Sequence, residues 1–313
     1  MTVKPPFETL VQPYGAPAIA EAARLIADGQ CVAVPTETVY GLAADATNGA
    51  AVAGIYAAKG RPSFNPLIVH VPDLAAAERI AVFDDKARAL AVAYWPGPLT
   101  LVLPLRPDGG IASLVTAGLS TIAIRVPAHP AMRDLLIACG KPLAAPSANA
   151  SGSVSPTRAA HALKSLKGRI PLVIDAGATS IGLESTIVAV DADGAPRLLR
   201  PGPIDLGLSP ARGGPVEAPG QLASHYAPAK PLRLRATIAE ANEWLIGFGA
   251  VTGNATLSAS GDLAEAAANL FGALHDADAS APTHIAIAPI PETGLGVAIN
   301  DRLCRAAGVR PEG

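Results

Sequence analysis

The chain has 313 residues, half of them hydrophobic and only 4% aromatic, with Gly and Pro at 30 each, which suits a compact α/β protein with a core of small residues and length for two domains. Its formal net charge is −2; residues 1–205 carry 17 basic and 16 acidic side chains and residues 206–313 carry 7 and 10, so neither part has the cationic excess of a protein that grips nucleic acid through its phosphates. No uncharged apolar run of about 18 residues is present, and residues 1–17 lack the apolar centre of a signal peptide.

Apolar positions at helical spacing (Ile19, Ala22, Ala23, Leu25, Ile26) predict a helix over 17–28, with Gly29 as its stop. Residues 31–34 read as a short buried strand ended by Pro35, 49–58 as a helix ending near Gly60, 67–71 as a strand, and 73–80 and 84–94 as helices. Short runs rich in branched residues come next at 99–103, 122–126, 143–145, 172–174, 186–190 and 197–199, with helices over 129–138 and 157–166. Many strands with intervening helices indicate one sheet with helices packed on it. Residues 204–231 are rich in Gly and Pro without periodicity and read as a linker. After it a strand at 232–235, a helix at 238–246, a strand at 249–252, a helix at 262–276, a strand at 284–287 and a helix at 296–306 are expected, a small α/β domain of parallel type. The expected division is 1–205 as the catalytic domain, 206–230 as linker and lid, and 231–313 as the small domain.

The sequence contains neither GxxxxGK[ST] nor a GxGxxG after a strand, and neither HExxH, CxxC nor GxSxG. Cys31, Cys139 and Cys304 are odd in number and widely spaced, which fits reduced thiols in a cytoplasm better than disulfides or zinc. What stands out is polar residues at strand ends beside Pro or Gly, where open α/β sheets place ligands. Lys59-Gly60-Arg61-Pro62-Ser63-Phe64-Asn65-Pro66 sets two cations one residue apart before an apolar strand. It reads as an exposed loop, either ordinary and solvated or suited to a phosphate, with Lys as a point charge and Arg as a fork. Arg125 interrupts an apolar strand and must pair with something when buried, an anionic ligand or an internal carboxylate. Ser147, Asn149 and Ser185, taken singly, read as turn and capping residues, and His70 as a core or edge residue.

Together, PTETVYGL, KGRPSFNPLIVHV, WPGPLTLVL, TIAIRVP, PSANASGSVSPT, ESTIV and LLRPG, in this order over about residues 13–205, resemble the L-threonylcarbamoyladenylate synthase family, the YrdC-like proteins. The Ser224-His225-Tyr226-Ala227-Pro228 stretch and the small α/β domain expected after it resemble the two-domain branch of that family. The resemblance implies a twisted open mixed sheet with helices and a small C-terminal Rossmann-like α/β domain. It implies an enzyme that makes threonylcarbamoyl-AMP and pyrophosphate from L-threonine, bicarbonate (or CO2) and ATP with Mg2+, for a downstream tRNA threonylcarbamoyl transferase complex. Carried over by motif, Lys59 and Arg61 would serve catalysis through the ATP phosphates, with Asn65, Thr121, Asn149, Ser155, Arg200 and Tyr226 completing the ATP contacts. Thr36, His70, Arg125, Ser147 and Ser185 would hold threonine. The linker departs from the branch in that Gln221 to Ser224 are neutral where a basic residue is usual. Residues 207–228 are expected to fold back over the mouth of the first domain, with Tyr226 at the nucleotide. Two other classes compete: a double-stranded RNA-binding module, which the near-neutral charge disfavours, and a carbamoyl-transfer accessory protein of the hydrogenase-maturation kind, whose zinc-finger and acylphosphatase-like modules are absent from this sequence.

Overall fold

The computed structural model describes residues 6–190, 195–210, 217–220 and 225–309. In chain order its first part runs β1 (Leu10–Pro13), α1 (Ala16–Ala27), β2 (Val32–Pro35), β3 (Tyr40–Asp45), α2 (Gly49–Lys59), β4 (Ile68–His70), α3 (Leu74–Ile80), α4 (Asp85–Tyr94), β5 (Leu99–Pro104), α5 (Ser113–Thr116), β6 (Thr121–Arg125), α6 (Pro130–Cys139), β7 (Leu143–Ala144), α7 (Ala159–Leu166), β8 (Leu172–Asp175), β9 (Thr186–Val190) and β10 (Pro196–Arg200). The second part comprises β11 (Leu232–Arg233), β12 (Glu243–Gly247), β13 (Ala255–Thr256), α8 (Leu263–Ala279), β14 (His284–Ile287) and α9 (Leu295–Ala306).

The first ten strands form one mixed sheet in the order β1-β8-β2-β3-β7-β4-β6-β5-β9-β10. Strand β2 turns back antiparallel onto β3, whereas β4 runs parallel to β6 and β5 parallel to β9. Residue alternation sends Leu99, Leu101, Leu103, Ile122, Ile124 and Val188 to one face, where α2, α3, α4 and α7 cover them. On the other face α1 and α6 cover only the β1–β7 half, packing Ile19, Ile26, Met132 and Leu135 on Val32, Val34 and Leu172. The remaining half of that face is a floor of Ile68, Ala123, Val102, Ile187, Ala189 and Leu199, and Ala218 packs onto it. Among the described residues no helix covers that half of the face.

The second part is a parallel four-stranded sheet, β11-β14-β12-β13, flanked by α8 and α9. Its core is shared with the first part: Val39, Val154 and Leu183 cluster with Phe271, Leu274, Ile285 and Ile299. Among the described residues no helix is long and apolar enough to cross a membrane.

The structure corrects the expected rhythm here. Residues 238–246 are not a helix; Asn242 takes a left-handed φ of 62° and Glu243–Gly247 pairs with β14 instead. Residues 249–252 are not a strand either, because Phe248 and Val251 exchange backbone hydrogen bonds across a tight turn. A central position between two strands outweighs the helical preference of Ala, Glu and Leu. Strand β3 escaped the sequence reading because it is buried on both faces and shows no alternation.

Candidate functional site

A cavity lined by polar and charged side chains opens at one end of this uncovered floor, with Ile68 of the floor in its wall. Strand alternation supplies its walls: His70 lies two residues beyond Ile68 on β4, and Arg125 two residues beyond Ala123 on β6, so both project on the side of the apolar floor. They are also register partners across the β4–β6 ladder. The β2–β3 hairpin contributes Thr36, Thr38 and Gly41, the segment after β7 contributes Ser147, and Glu184, Ser185 and Arg200 come from the ends of β9 and β10. Pro219, Gly220, His225 and Tyr226 close the remaining side.

Three buried cations gather here. Lys59, on the last turn of α2, is 3% exposed and donates Nζ to the carbonyls of Ser147 and Asn149, both at 2.5 Å. Arg61 is 8% exposed; its Nε and Nη2 donate to the carbonyls of Asn65 and Pro66 at 3.1 and 2.9 Å. Arg200 donates Nε to the Ser185 carbonyl and Nη2 to Ser185 Oγ, each at 3.0 Å, and the Ser185 and Thr100 hydroxyls share a hydrogen bond. The expected exposed loop is therefore corrected: both cations of the Lys59-Gly60-Arg61 segment are buried, because α2 carries Lys59 under the 147–149 turn and Arg61 folds back on its own loop. Burial, and then the Arg61 charge, pulls the Lys59 ammonium well below its usual range, and burial draws Arg61 to about 10 and lowers Arg200. Lys59, Arg61 and Arg200 form no ion pair with a carboxylate among the described residues. Desolvated cations without a counter-charge favour a bound anion.

Arg125 is balanced differently. Its Nη2 donates to Glu37 Oε1 at 2.6 Å, Nη1 to Thr38 Oγ1 at 3.0 Å and Nε to the Gly97 carbonyl at 3.1 Å. Glu37 also accepts from the backbone N–H groups of Ala128 and His129. Burial alone would raise the Glu37 carboxyl, but the Arg125 charge prevails and holds it below the usual carboxylate range. Of the two possibilities the sequence left open, the internal carboxylate is present; the Arg125 guanidinium nevertheless lines the cavity with N–H groups to spare. Burial, reinforced by Arg125, takes the His70 imidazole down to about 3, so it is neutral, and its Nδ1 is buried without a partner. Thr36 Oγ1 is engaged by Thr38 and Val39.

Of the residues singled out from sequence, Thr36, Arg61, His70, Arg125, Ser147, Ser185, Arg200 and Tyr226 line the cavity. Lys59 and Asn149 lie one layer behind it, joined to each other, and Ser155 donates to Glu184 Oε1 at 2.5 Å. Asn65 is buried with both side-chain polar atoms unpartnered. Thr121 stands at the opposite end of β6 from Arg125 and does not line the cavity. Gln221 to Ser224 lie outside the described residues. Sequence reasoning assigned no role to Thr38, Glu37 and Glu184, which sit inside the PTET and EST motifs beside residues it did choose, or to Gly220 and Arg302. Arg302, on α9, is 0% exposed and donates Nε to Glu184 Oε2 at 2.8 Å; nothing local in its helix signals this. Among the described residues no cluster of three or more His, Cys, Asp or Glu could hold a metal ion.

The family model described as "Telomere recombination", covering Sua5, YciO and YrdC proteins, matches residues 24–202, and the model described as "Threonylcarbamoyl-AMP synthase, C-terminal domain" matches residues 203–308. The chain is 42% identical to the threonylcarbamoyl-AMP synthase of Bacillus subtilis, with 94% of each covered. It is 37% identical to that of Pyrococcus abyssi over 92% of this chain and 94% of the relative. The crystal structure of P. abyssi Sua5 complexed with L-threonine superposes with a TM-score of 0.86 at 35% identity, covering 96% of this chain and 97% of that one.

Proposed function

The chain belongs to the threonylcarbamoyl-AMP synthase family, and on that premise we propose that it joins L-threonine, bicarbonate-derived CO2 and ATP into threonylcarbamoyl-AMP, releasing pyrophosphate. The observation that carries this reading is the pair Arg61 and Arg200, two buried guanidiniums lining one cavity and unpaired with any carboxylate among the described residues. Such a pair suits the phosphates of a nucleotide.

The threonine amine and CO2 form a carbamate, whose oxygen attacks the α-phosphorus of ATP; the bond to the β-phosphate oxygen breaks and pyrophosphate leaves. Both reactants are anions, so the site has to neutralise charge and align them. Arg61 and Arg200 serve the triphosphate, and Lys59 fixes the Ser147–Asn149 turn against it. Arg125, His70, Thr36, Ser147 and Ser185 hold the amino acid: the spare Arg125 N–H groups take its carboxylate and the unpartnered His70 nitrogen is available to a polar group of threonine. Asn65, Asn149, Ser155 and Tyr226 complete the nucleotide side, and Thr121 is left out of it because it lies at the far end of β6. Among the described residues the acidic side chains do not make a resident Mg2+ site, since Glu184, the carboxylate in the lining, is paired with Arg302; Mg2+ fits this chemistry as a passenger on the ATP phosphates.

We read residues 1–205 as the catalytic domain, 206–230 as its lid and 231–313 as a small α/β domain. The product goes to a downstream tRNA threonylcarbamoyl transferase complex, in the cytoplasm, a compartment that the unpaired thiols of Cys31, Cys139 and Cys304 suit. Incubation with ATP, bicarbonate and threonine, with pyrophosphate and product mass measured, tests the reaction. Valine in place of threonine should give little product, because a site that hydrogen-bonds the threonine hydroxyl is left with an unpaired polar group; equal turnover with valine would remove the amino-acid assignment.

A further inference from the structure

Arg302 is the largest fully buried side chain among the described residues, and it belongs to the C-terminal α/β unit rather than to the sheet that carries the cavity. It reaches three site segments at once. Nε donates to Glu184 Oε2 at 2.8 Å, immediately before Ser185 in the chain. Nη2 donates to the Pro201 carbonyl at 3.0 Å, immediately after Arg200. The guanidinium lies 5.1 Å from the centre of the Tyr226 ring. Its Nη1 donates to Asp301 Oδ2 at 2.7 Å.

The charges around it are unequal in what they have to fall back on. Asp301 has a second cation, Arg305 Nε at 3.0 Å. Among the described residues Glu184 has no second cation in direct contact: its other hydrogen bond is from the Ser155 hydroxyl. Burial pushes the Glu184 carboxyl up, yet the charges of Arg302 first and Arg200 second outweigh it and keep it ionised. Glu184 and Arg200 line the same cavity, and both are anchored around Ser185. If Arg302 were absent, the buried Glu184 would have Arg200 as its remaining source of positive charge.

We propose that Arg302 is a positioning residue of the active site, through which the C-terminal unit neutralises Glu184 and so leaves Arg200 free for the phosphates of ATP. This rests on the reading of the cavity as an ATP site. Arg302 itself touches neither reactant; it acts through Glu184, and its hydrogen bond to Pro201 fixes the turn that Arg200 ends. The small α/β unit is thereby more than a dock for the linker: it supplies a charge without which the phosphate end of the site is internally quenched.

The test uses the full chain and titrates ATP, and separately threonine, by calorimetry, alongside thermal melts. Arg302→Met should weaken ATP binding by roughly tenfold or more and threonine binding in the absence of ATP by clearly less, because Arg200 is quenched directly whereas Ser185 is disturbed only through its hydrogen bonds to Arg200. Arg302→Lys, which keeps the charge but not the fork, should fall between. Glu184→Gln/Arg302→Met, which removes both charges, should bring ATP affinity back to within about threefold of wild type. Rescue by the second substitution is what a merely structural role would not give. A folded Arg302→Met with wild-type ATP affinity, or a loss that Glu184→Gln does not relieve, overturns the proposal. If Arg302→Met alone fails to fold, the double variant decides on the same threefold criterion. A wild-type protein that binds no ATP would overturn the functional reading itself, whereas normal ATP binding in Arg302→Met overturns this inference alone.

Discussion

Lys59 and Arg61 stand one residue apart and do different work. Lys59 Nζ holds two main-chain carbonyls, Ser147 and Asn149, below the cavity, whereas Arg61 faces the cavity and braces its own loop through the Asn65 and Pro66 carbonyls. An exposed-loop picture would expect Lys59→Ala and Arg61→Ala to lose activity with the fold untouched. Their burial predicts otherwise: Lys59→Ala leaves two buried carbonyls without their donor, and Arg61→Ala leaves the Pro66 carbonyl without one while the Asn65 carbonyl keeps the Tyr56 hydroxyl at 3.0 Å, at about 1–3 kcal/mol per orphaned carbonyl. Both variants should therefore melt earlier and release pyrophosphate more slowly at temperatures where they remain folded. Calorimetric melts paired with turnover check this. Wild-type melting of Lys59→Ala would mean its Nζ contacts do not hold the 147–149 turn, and full turnover in folded Arg61→Ala would remove its phosphate role.

At the scale of elements, the segment around Ala218–Gly220 and the pair His225-Tyr226 cover the apolar floor and one wall of the cavity. Gly220 has a φ of +86°, and a Cβ there would lie 2.7 Å from Tyr226 Oη and 2.9 Å from Arg200 Cδ. Gly220→Ala should thus cost about 1–3 kcal/mol through backbone strain and raise the KM for ATP by displacing Arg200; a normal KM would show that Arg200 tolerates the shift. A second contact between elements is the stack of His161 on α7 and His275 on α8, ring centres 3.9 Å apart. His275 Nε2 donates to the Ser155 carbonyl, and His161 Nδ1 accepts the Thr157 N–H, an arrangement that needs a neutral His161. Burial, then His275, then Arg158 and Lys164 take His161 to about 3; burial lowers His275 as well, against Asp276 and Asp278. A lowered folded-state value means the unfolded or opened form binds protons first. The stability these rings contribute is present above the usual histidine value of about 6.5 and is lost as pH falls below it. His161→Gln/His275→Gln should lower the pH at which the protein unfolds in acid titration followed by circular dichroism. An unchanged acid midpoint would show that the stack is not the acid-sensitive contact.

Over the whole molecule, the two sheets do not have separate interiors. Val39, Val154, Leu183 and Tyr226 cluster with the core of α8, β14 and α9, and the Arg302–Glu184 pair lies beside that cluster. Cutting the chain into two would expose apolar surface on both sides, so the halves should unfold together. The two tryptophans report on one half each: Trp95 sits before β5 and Trp244 in β12. Single-tryptophan variants, Trp95→Phe and Trp244→Phe, should show coincident denaturant transitions by fluorescence. Two separated midpoints would show that the shared core does not couple the halves.

The sequence by itself determined the strands and helices whose cues are local. Branched runs bounded by Gly or Pro became β5, β6, β8 and β9, and apolar residues at helical spacing became α1 and α6. It also placed polar residues at strand ends in motifs specific enough to point to a family, and most of those residues line one cavity. What only the tertiary structure decided was who meets whom. Glu37 neutralises Arg125 across 88 residues and Glu184 meets Arg302 across 118; Lys59 is buried because a turn 88 residues away covers it; and residues 243–247 are a strand because β14 lies alongside. Periodicity and propensity are properties of neighbouring residues, whereas burial and charge pairing depend on segments far apart in the chain that meet only once it has folded.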